Sequence, residues 1–116
     1  MINTVLFDLD GTLVKHNGYL NEGYDVLLDG VKDFFNSVPS KDKIIILTSR
    51  KKEFSSQTEE FLTSNRIRFD YIIYDLPYGE RILVNDQKPS GLKTALSMNV
   101  ERDSPLKILY REDGEI

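Results

Sequence analysis

The stretch "VLFDLDGTLV", residues 5–14, decides how this chain is read. An apolar run, Val5-Leu6-Phe7, stops at Asp8, and Asp10, Gly11 and Thr12 follow at once. Residues 3–8 are expected to form a short strand buried on both faces, since the run is continuous rather than alternating. Two carboxylates at the end of a buried strand cost desolvation unless a partner or ligand meets them there. Taken alone, an Asp-x-Asp after a strand more often caps a turn or the next helix. The rest of the chain has to decide between these readings.

Outward from that point, apolar runs and helical spacings alternate. Residues 11–24, "GTLVKHNGYLNEGY", are rich in Gly and Asn and read as a loop or small hairpin. Val26, Leu27, Val31, Phe34 and Phe35 fall at helical spacing within 25–37. "KIIILT", 43–48, is a second strand, and its three successive isoleucines predict burial on both faces. Residues 53–65 predict a second helix with Phe54, Phe61 and Leu62 inward. "IRFDYIIY", 67–74, is a third strand, and "ERILVND", 80–86, a fourth that ends in Asn85-Asp86. "QKPSGL", 87–92, is turn chemistry. Residues 93–100 suit a helix or a fifth strand, with a strand preferred, and 106–110 is one more short apolar segment before a tail, "REDGEI", expected to fray. Strands alternating with helices imply one α/β domain over 1–116 with a mostly parallel sheet, helices on both faces and a three-layer, Rossmann-like arrangement.

In such sheets ligands sit at the carboxyl ends of the strands. Three strands end there in polar residues: Asp8, then Thr48-Ser49-Arg50, then Asn85-Asp86. Carboxylates clustered without His or Cys suit a hard cation such as Mg²⁺. A carboxylate beside Mg²⁺ also suits phosphoryl transfer through an aspartyl-phosphate.

These segments resemble the motifs of the haloacid dehalogenase superfamily. "FDLDGTLV" resembles its Asp-x-Asp-Gly-Thr motif I, "IIILTSR" its motif II, and "ILVND" its motif IV, together covering residues 4–87. The resemblance implies that Asp8 is the nucleophile and Asp10 the general acid and base. It implies that Thr48 and the Ser49 backbone N–H hold the phosphate. Mg²⁺ would be bound by the Asp8 carboxylate, the Asp10 carbonyl and the Asp86 carboxylate, with Asn85 at a position that is acidic in many relatives. The family's motif III lysine has no counterpart in "YDLPYGER". Lys88 is the expected stand-in, followed by Arg81 and Arg50, and Arg81 is judged poorly placed because it would begin a strand whose far end meets the site. The only histidine, His16, lies where the family carries a flap over its site and is read as a solvated loop residue.

Neither 11–42 nor 51–80 leaves room for the family's inserted cap domain. The site is therefore expected to be open, to accept a large phosphorylated group or to be covered by another copy of the chain, and to bind small esters weakly. A weaker resemblance, over 76–103, to proteins linked to capsule or surface-polysaccharide synthesis implies a sugar phosphate or phosphorylated saccharide as substrate. A phosphotransferase and a phosphate- or partner-binding module without turnover are the rival readings. The net charge of −4 disfavours nucleic acid as the main partner. The absence of cysteine excludes a disulfide framework and a thiolate nucleophile. "MINTVLFD" lacks a basic start before a long apolar stretch, and no run approaches the roughly 18 apolar residues of a membrane span, so a cytoplasmic location without membrane contact is expected.

Overall fold

The computed structural model describes residues 2–108. The expected fraying at 111–116 and the end of the apolar segment 106–110 lie outside them. Strand β1 (Thr4–Asp8) is followed by a short helix α1 (Gly18–Asn21), helix α2 (Val31–Ser37), strand β2 (Lys43–Leu47), a 3₁₀ turn (Lys52–Phe54), helix α3 (Ser55–Ser64) and strand β3 (Tyr71–Ile73). The three strands form a parallel sheet in the order β1-β2-β3. Thr4 pairs with Lys43 and Asp8 with Leu47, so the two acidic and hydroxylic strand ends lie side by side. The chain is thus an α/β protein, as the alternation of elements predicts.

Burial explains why these segments hold. Phe7 of β1 stacks on Phe35 at 4.9 Å and meets Phe34 edge-on at 5.3 Å, which fastens α2 to the sheet. Ile44 and Ile46 of β2 are fully buried and Ile45 is half-buried, matching the expectation from its three isoleucines. Each such side chain contributes roughly 1.5–3 kcal/mol over an exposed position. Helix α3 buries Thr58 and Leu62, one turn apart. It ends where Arg66 takes φ +59, with Ile67 N–H donating to Leu62 O at 2.9 Å and Arg66 N–H to Thr63 O at 3.0 Å. That closure satisfies the last carbonyls and turns buried Ile67 back onto Leu62. Asp70 then accepts from Ile44 N–H at 2.8 Å, and the β2–β3 ladder begins one residue later.

Several elements differ from expectation, each for a local reason. Leu6 is 46% exposed, so β1, an edge strand here, is not buried on both faces. The expected helix over 25–37 starts only at Val31. Residues 26–28 run extended against the motif I loop instead, with Lys15 N–H donating to Val26 O and Leu28 N–H to Leu13 O, both at 2.9 Å. Residues 80–86 and 93–100 form neither strand nor helix. An apolar triplet makes a strand only where an edge pairs with it; Ile82, Leu83 and Val84 are exposed, Val84 at 89%. Among the described residues no helix is long and apolar enough to cross a membrane.

The late segment docks on the turn before α2. Leu106 is buried and its N–H donates to Asp29 O at 2.8 Å. Gly30 has φ +83, and a Cβ there would overlap the Leu106 carbonyl oxygen. Gly30→Ala should therefore destabilise the protein by about 2–4 kcal/mol, combining a left-handed backbone cost with overpacking. Urea unfolding measures it, and a loss below roughly 1 kcal/mol would mean that Leu106 does not pack on this turn.

Candidate active site

Parallel pairing of β1 and β2 brings Asp8 and Thr48 to the same end of the sheet. After Asp8 the chain reverses tightly: the carbonyl of buried Leu9 accepts from Leu13 N–H at 2.9 Å and from Val14 N–H at 3.2 Å. Gly11, at φ +85, makes that reversal possible. The result is a cleft of about 400 Å³. Its floor carries Asp8, Asp10, Thr12 and Thr48, and its rim carries Arg81 and Arg102.

Asp8 is the most available acid of the pair, with 41% of its side chain exposed. Its Oδ2 accepts from the Thr12 hydroxyl at 3.2 Å and its Oδ1 from Arg81 Nη1 at 3.0 Å. Thr48 is buried, and its Oγ1 accepts from Arg50 N–H at 3.0 Å, which leaves the hydroxyl proton to donate. Ser49 lines the cleft beside it.

Asp10 is bound differently. Arg50 Nε and Nη2 donate to its two oxygens at 3.0 and 2.9 Å. The same guanidinium donates to both oxygens of Asp25 at 3.0 and 2.6 Å and to Thr58 Oγ1 at 2.9 Å. All five guanidinium N–H groups are thereby used. One face of the group lies over the Tyr19 ring, 3.8 Å from its centroid. The Arg50 side chain is only 1% exposed. Burial opposes its charge, but the hydrogen bonds to Asp10 and Asp25 outweigh that, and its pKa is raised above even the ordinary arginine value.

A segment remote in sequence completes the cleft. Asp103 N–H donates to Gly11 O at 2.9 Å, and the Asp103 carboxylate accepts from His16 N–H at 2.7 Å. A Cβ on Gly11 would lie 3.1 Å from Arg102 Cγ, so the glycine also admits that side chain. His16, expected to be a solvated loop residue, lines the cleft, and its Nδ1 is buried without a hydrogen-bond partner among the described residues.

Of the residues singled out from the sequence, the structure brings together Asp8, Asp10, Thr48 and Ser49. It does not bring Asn85, Asp86 or Lys88 to them. Asn85 Nδ2 donates to Thr94 Oγ1 at 2.7 Å, and that hydroxyl donates to Asp86 O at 3.0 Å. Lys88 lies in an exposed turn closed by Gly91 N–H to its carbonyl at 2.8 Å. The reason is the strand that does not form: without it, nothing carries residues 85–88 to the carboxyl end of β1. The same change reverses the expectation for Arg81, which folds onto Asp8. Sequence reasoning missed Asp25, Arg102, Tyr19 and Tyr78. Asp25 was hidden inside an expected helix, and no local pattern marks Arg102.

The donor set does not assemble a divalent-cation site. Asp8 is the one carboxylate facing the cleft without a buried partner, Asp10 is held by Arg50, and Asp86 lies elsewhere. Among the described residues no group of three or more His, Cys, Asp or Glu is placed to hold a metal.

No family model and no curated protein matches the chain. It is similar to one chain of a solved structure described as that of a Pnkp1/Rnl/Hen1 complex, with 26% identity and a TM-score of 0.56. The match covers 71% of this chain and 31% of that one, so this chain spans about a third of its length.

Removing the Arg50 guanidinium would leave Asp10 and Asp25 facing each other unpaired. Arg50→Met should cost about 3–5 kcal/mol, the scale for breaking a buried ion pair from one side. Arg50→Lys should recover little, since a compact ammonium cannot bind two carboxylates side-on. Chemical denaturation compares the three proteins; a loss under about 1 kcal/mol for Arg50→Met would show that the network does not hold the cleft together.

Proposed function

We propose that this protein is a phosphate-monoester phosphatase of the haloacid dehalogenase type, without a cap domain, acting through an aspartyl-phosphate on Asp8. The single observation that carries the reading is the pairing of Asp8↔Leu47, which sets a half-exposed carboxylate beside the Thr48 hydroxyl in one cleft. The substrate class is a sugar phosphate or phosphorylated saccharide, on the weaker of the two sequence resemblances.

The chemistry follows from the side chains. An Asp8 oxygen attacks phosphorus, the bond to the ester oxygen breaks, and the alcohol leaves with a proton. Water then attacks the acyl phosphate, loses a proton, and frees phosphate and the Asp8 carboxylate. Thr48 donates its hydroxyl proton to a phosphoryl oxygen. Asp10 is the acid and then the base. Its oxygens are fixed by Arg50, and each keeps a further lone pair toward the cleft. Arg81, already on Asp8, offsets the repulsion between a carboxylate nucleophile and an anionic phosphate, the task expected of Lys88.

No step is derived through Mg²⁺, because the cleft does not gather its ligands. The cation stays part of the reading through the motif resemblance, and turnover with Mg²⁺ against turnover with EDTA tests it. The second reading, a phosphate-binding module without turnover, draws on the same incomplete donor set.

A panel of phosphate esters assayed with and without Mg²⁺ tests the proposal. Asp8→Asn should abolish turnover while the protein stays folded, because an amide is a very poor nucleophile. Residual activity above a few per cent would remove Asp8 from that role. Arg81→Ala should lower kcat/KM by ~10²-fold, the scale of one lost electrostatic donor, and Lys88→Ala should stay near wild type. The reverse ranking in steady-state kinetics would return the cation role to Lys88.

A further inference from the structure

A second cavity, of about 480 Å³, opens directly from the cleft. Tyr19, Ser49, Pro77 and Tyr78 line both. Beyond them the trough runs between α1, through Leu20, and the start of the 3₁₀ turn, through Phe54, with Leu76 below. Lys51, Glu53 and Asp75 supply its polar groups. Its size falls in the range of small-molecule sites, and its mixture of apolar walls with a few polar groups is their usual composition.

Resting on the phosphatase reading, we propose that this trough holds the alcohol part of the phosphate ester, and that the alcohol is a hydroxylated ring. Continuity fixes the occupant: a phosphoryl group between Asp8 and Thr48 has its ester oxygen directed along the Ser49–Tyr78 boundary. The walls fix its chemistry. Glu53 and Asp75 only accept hydrogen bonds, which suits hydroxyl groups and repels a second phosphate or a carboxylate. The Tyr19 ring has one face under the Arg50 guanidinium and its edge against Phe54 at 5.0 Å, so it is a fixed wall rather than a stacking partner. Tyr78, 94% exposed, offers its ring freely. One free aromatic face with carboxylates around it fits the apolar face and hydroxyl edge of a sugar ring better than a flat base, which gains most between two parallel rings. The site is then less open than the lack of a cap implies, because α1 and the 75–78 loop supply walls.

The test compares wild type, Tyr78→Ala and Tyr78→Phe on methyl phosphate, a hexose phosphate and a nucleoside monophosphate. The readout is the ratio of kcat/KM for each ring substrate to that for methyl phosphate, which is too small to enter the trough. Tyr78→Ala should lower the hexose ratio by about tenfold, the scale of one aromatic contact, and Tyr78→Phe should keep it. An unchanged hexose ratio, or a larger drop for the nucleotide, overturns the proposal. Ligand-observed NMR of a hexose phosphate with the unreactive Asp8→Asn variant separates the two readings. Should wild type hydrolyse no ester, the phosphatase reading fails by itself; magnetisation transfer to the sugar ring protons that is lost in the Asp8→Asn/Tyr78→Ala protein still supports the trough, and no transfer overturns it.

Discussion

The Arg50 guanidinium is the interaction on which the rest of the site depends. It ties together the turn after β1 through Asp10, residue 25 before α2, Thr58 of α3 and the Tyr19 ring of α1. Each of these segments is short, and α1 has only four residues. Isolated helices of that length have no stability of their own. A buried arginine is expensive to desolvate, and it is tolerated only because every donor finds an acceptor and two carboxylates answer one charge. With both partners in place the cluster keeps one net negative charge beside the cleft. That charge sits on groups whose positions are fixed, so the cleft's electrostatics are set before any ligand arrives.

What the sequence revealed follows how local the physics is. β1, β2 and α3 were legible because burial is written into consecutive residues: Val5-Leu6-Phe7, Ile44-Ile45-Ile46, and Thr58 with Leu62. Asp8, Asp10 and Thr48 were legible for the same reason, each being the first polar residue beyond a buried run or its near neighbour. The start of α2 was not, since helical spacing at Val26 and Leu27 is also satisfied by an extended segment facing a loop. "ERILVND" has the composition of a strand, but composition does not supply a pairing edge, and with the strand went the expected positions of Asp86 and Lys88. Arg81 was misjudged through that same assumption. The Arg50 network escaped because its partners lie 25 and 40 positions away in the chain.

Two opposed demands meet in the cleft. A carboxylate must stay reactive, so Asp8 remains half-exposed and held only by a hydroxyl and one arginine. A second carboxylate must stay still, so Asp10 is gripped side-on by a buried guanidinium. The two residues are one position apart, and the reversal at Gly11 lets such different surroundings coexist. The similarity to a chain of the Pnkp1/Rnl/Hen1 complex structure covers most of this chain and a minor part of that one, so it bears on the α/β arrangement that positions these residues.

The docking of residues 102–106 onto Gly11, His16 and Asp29 has a consequence for the order in which the protein can be built. The loop that bears both aspartates emerges among the first residues of the nascent chain, yet the contacts that close over it come from about ninety residues later. Contacts so far apart in sequence form slowly, because a long loop must close before they return any energy. The carboxylate pair therefore exists for most of synthesis as an open, charged turn without its rim. Chemistry at the cleft waits on translation of a segment that carries no catalytic group of its own.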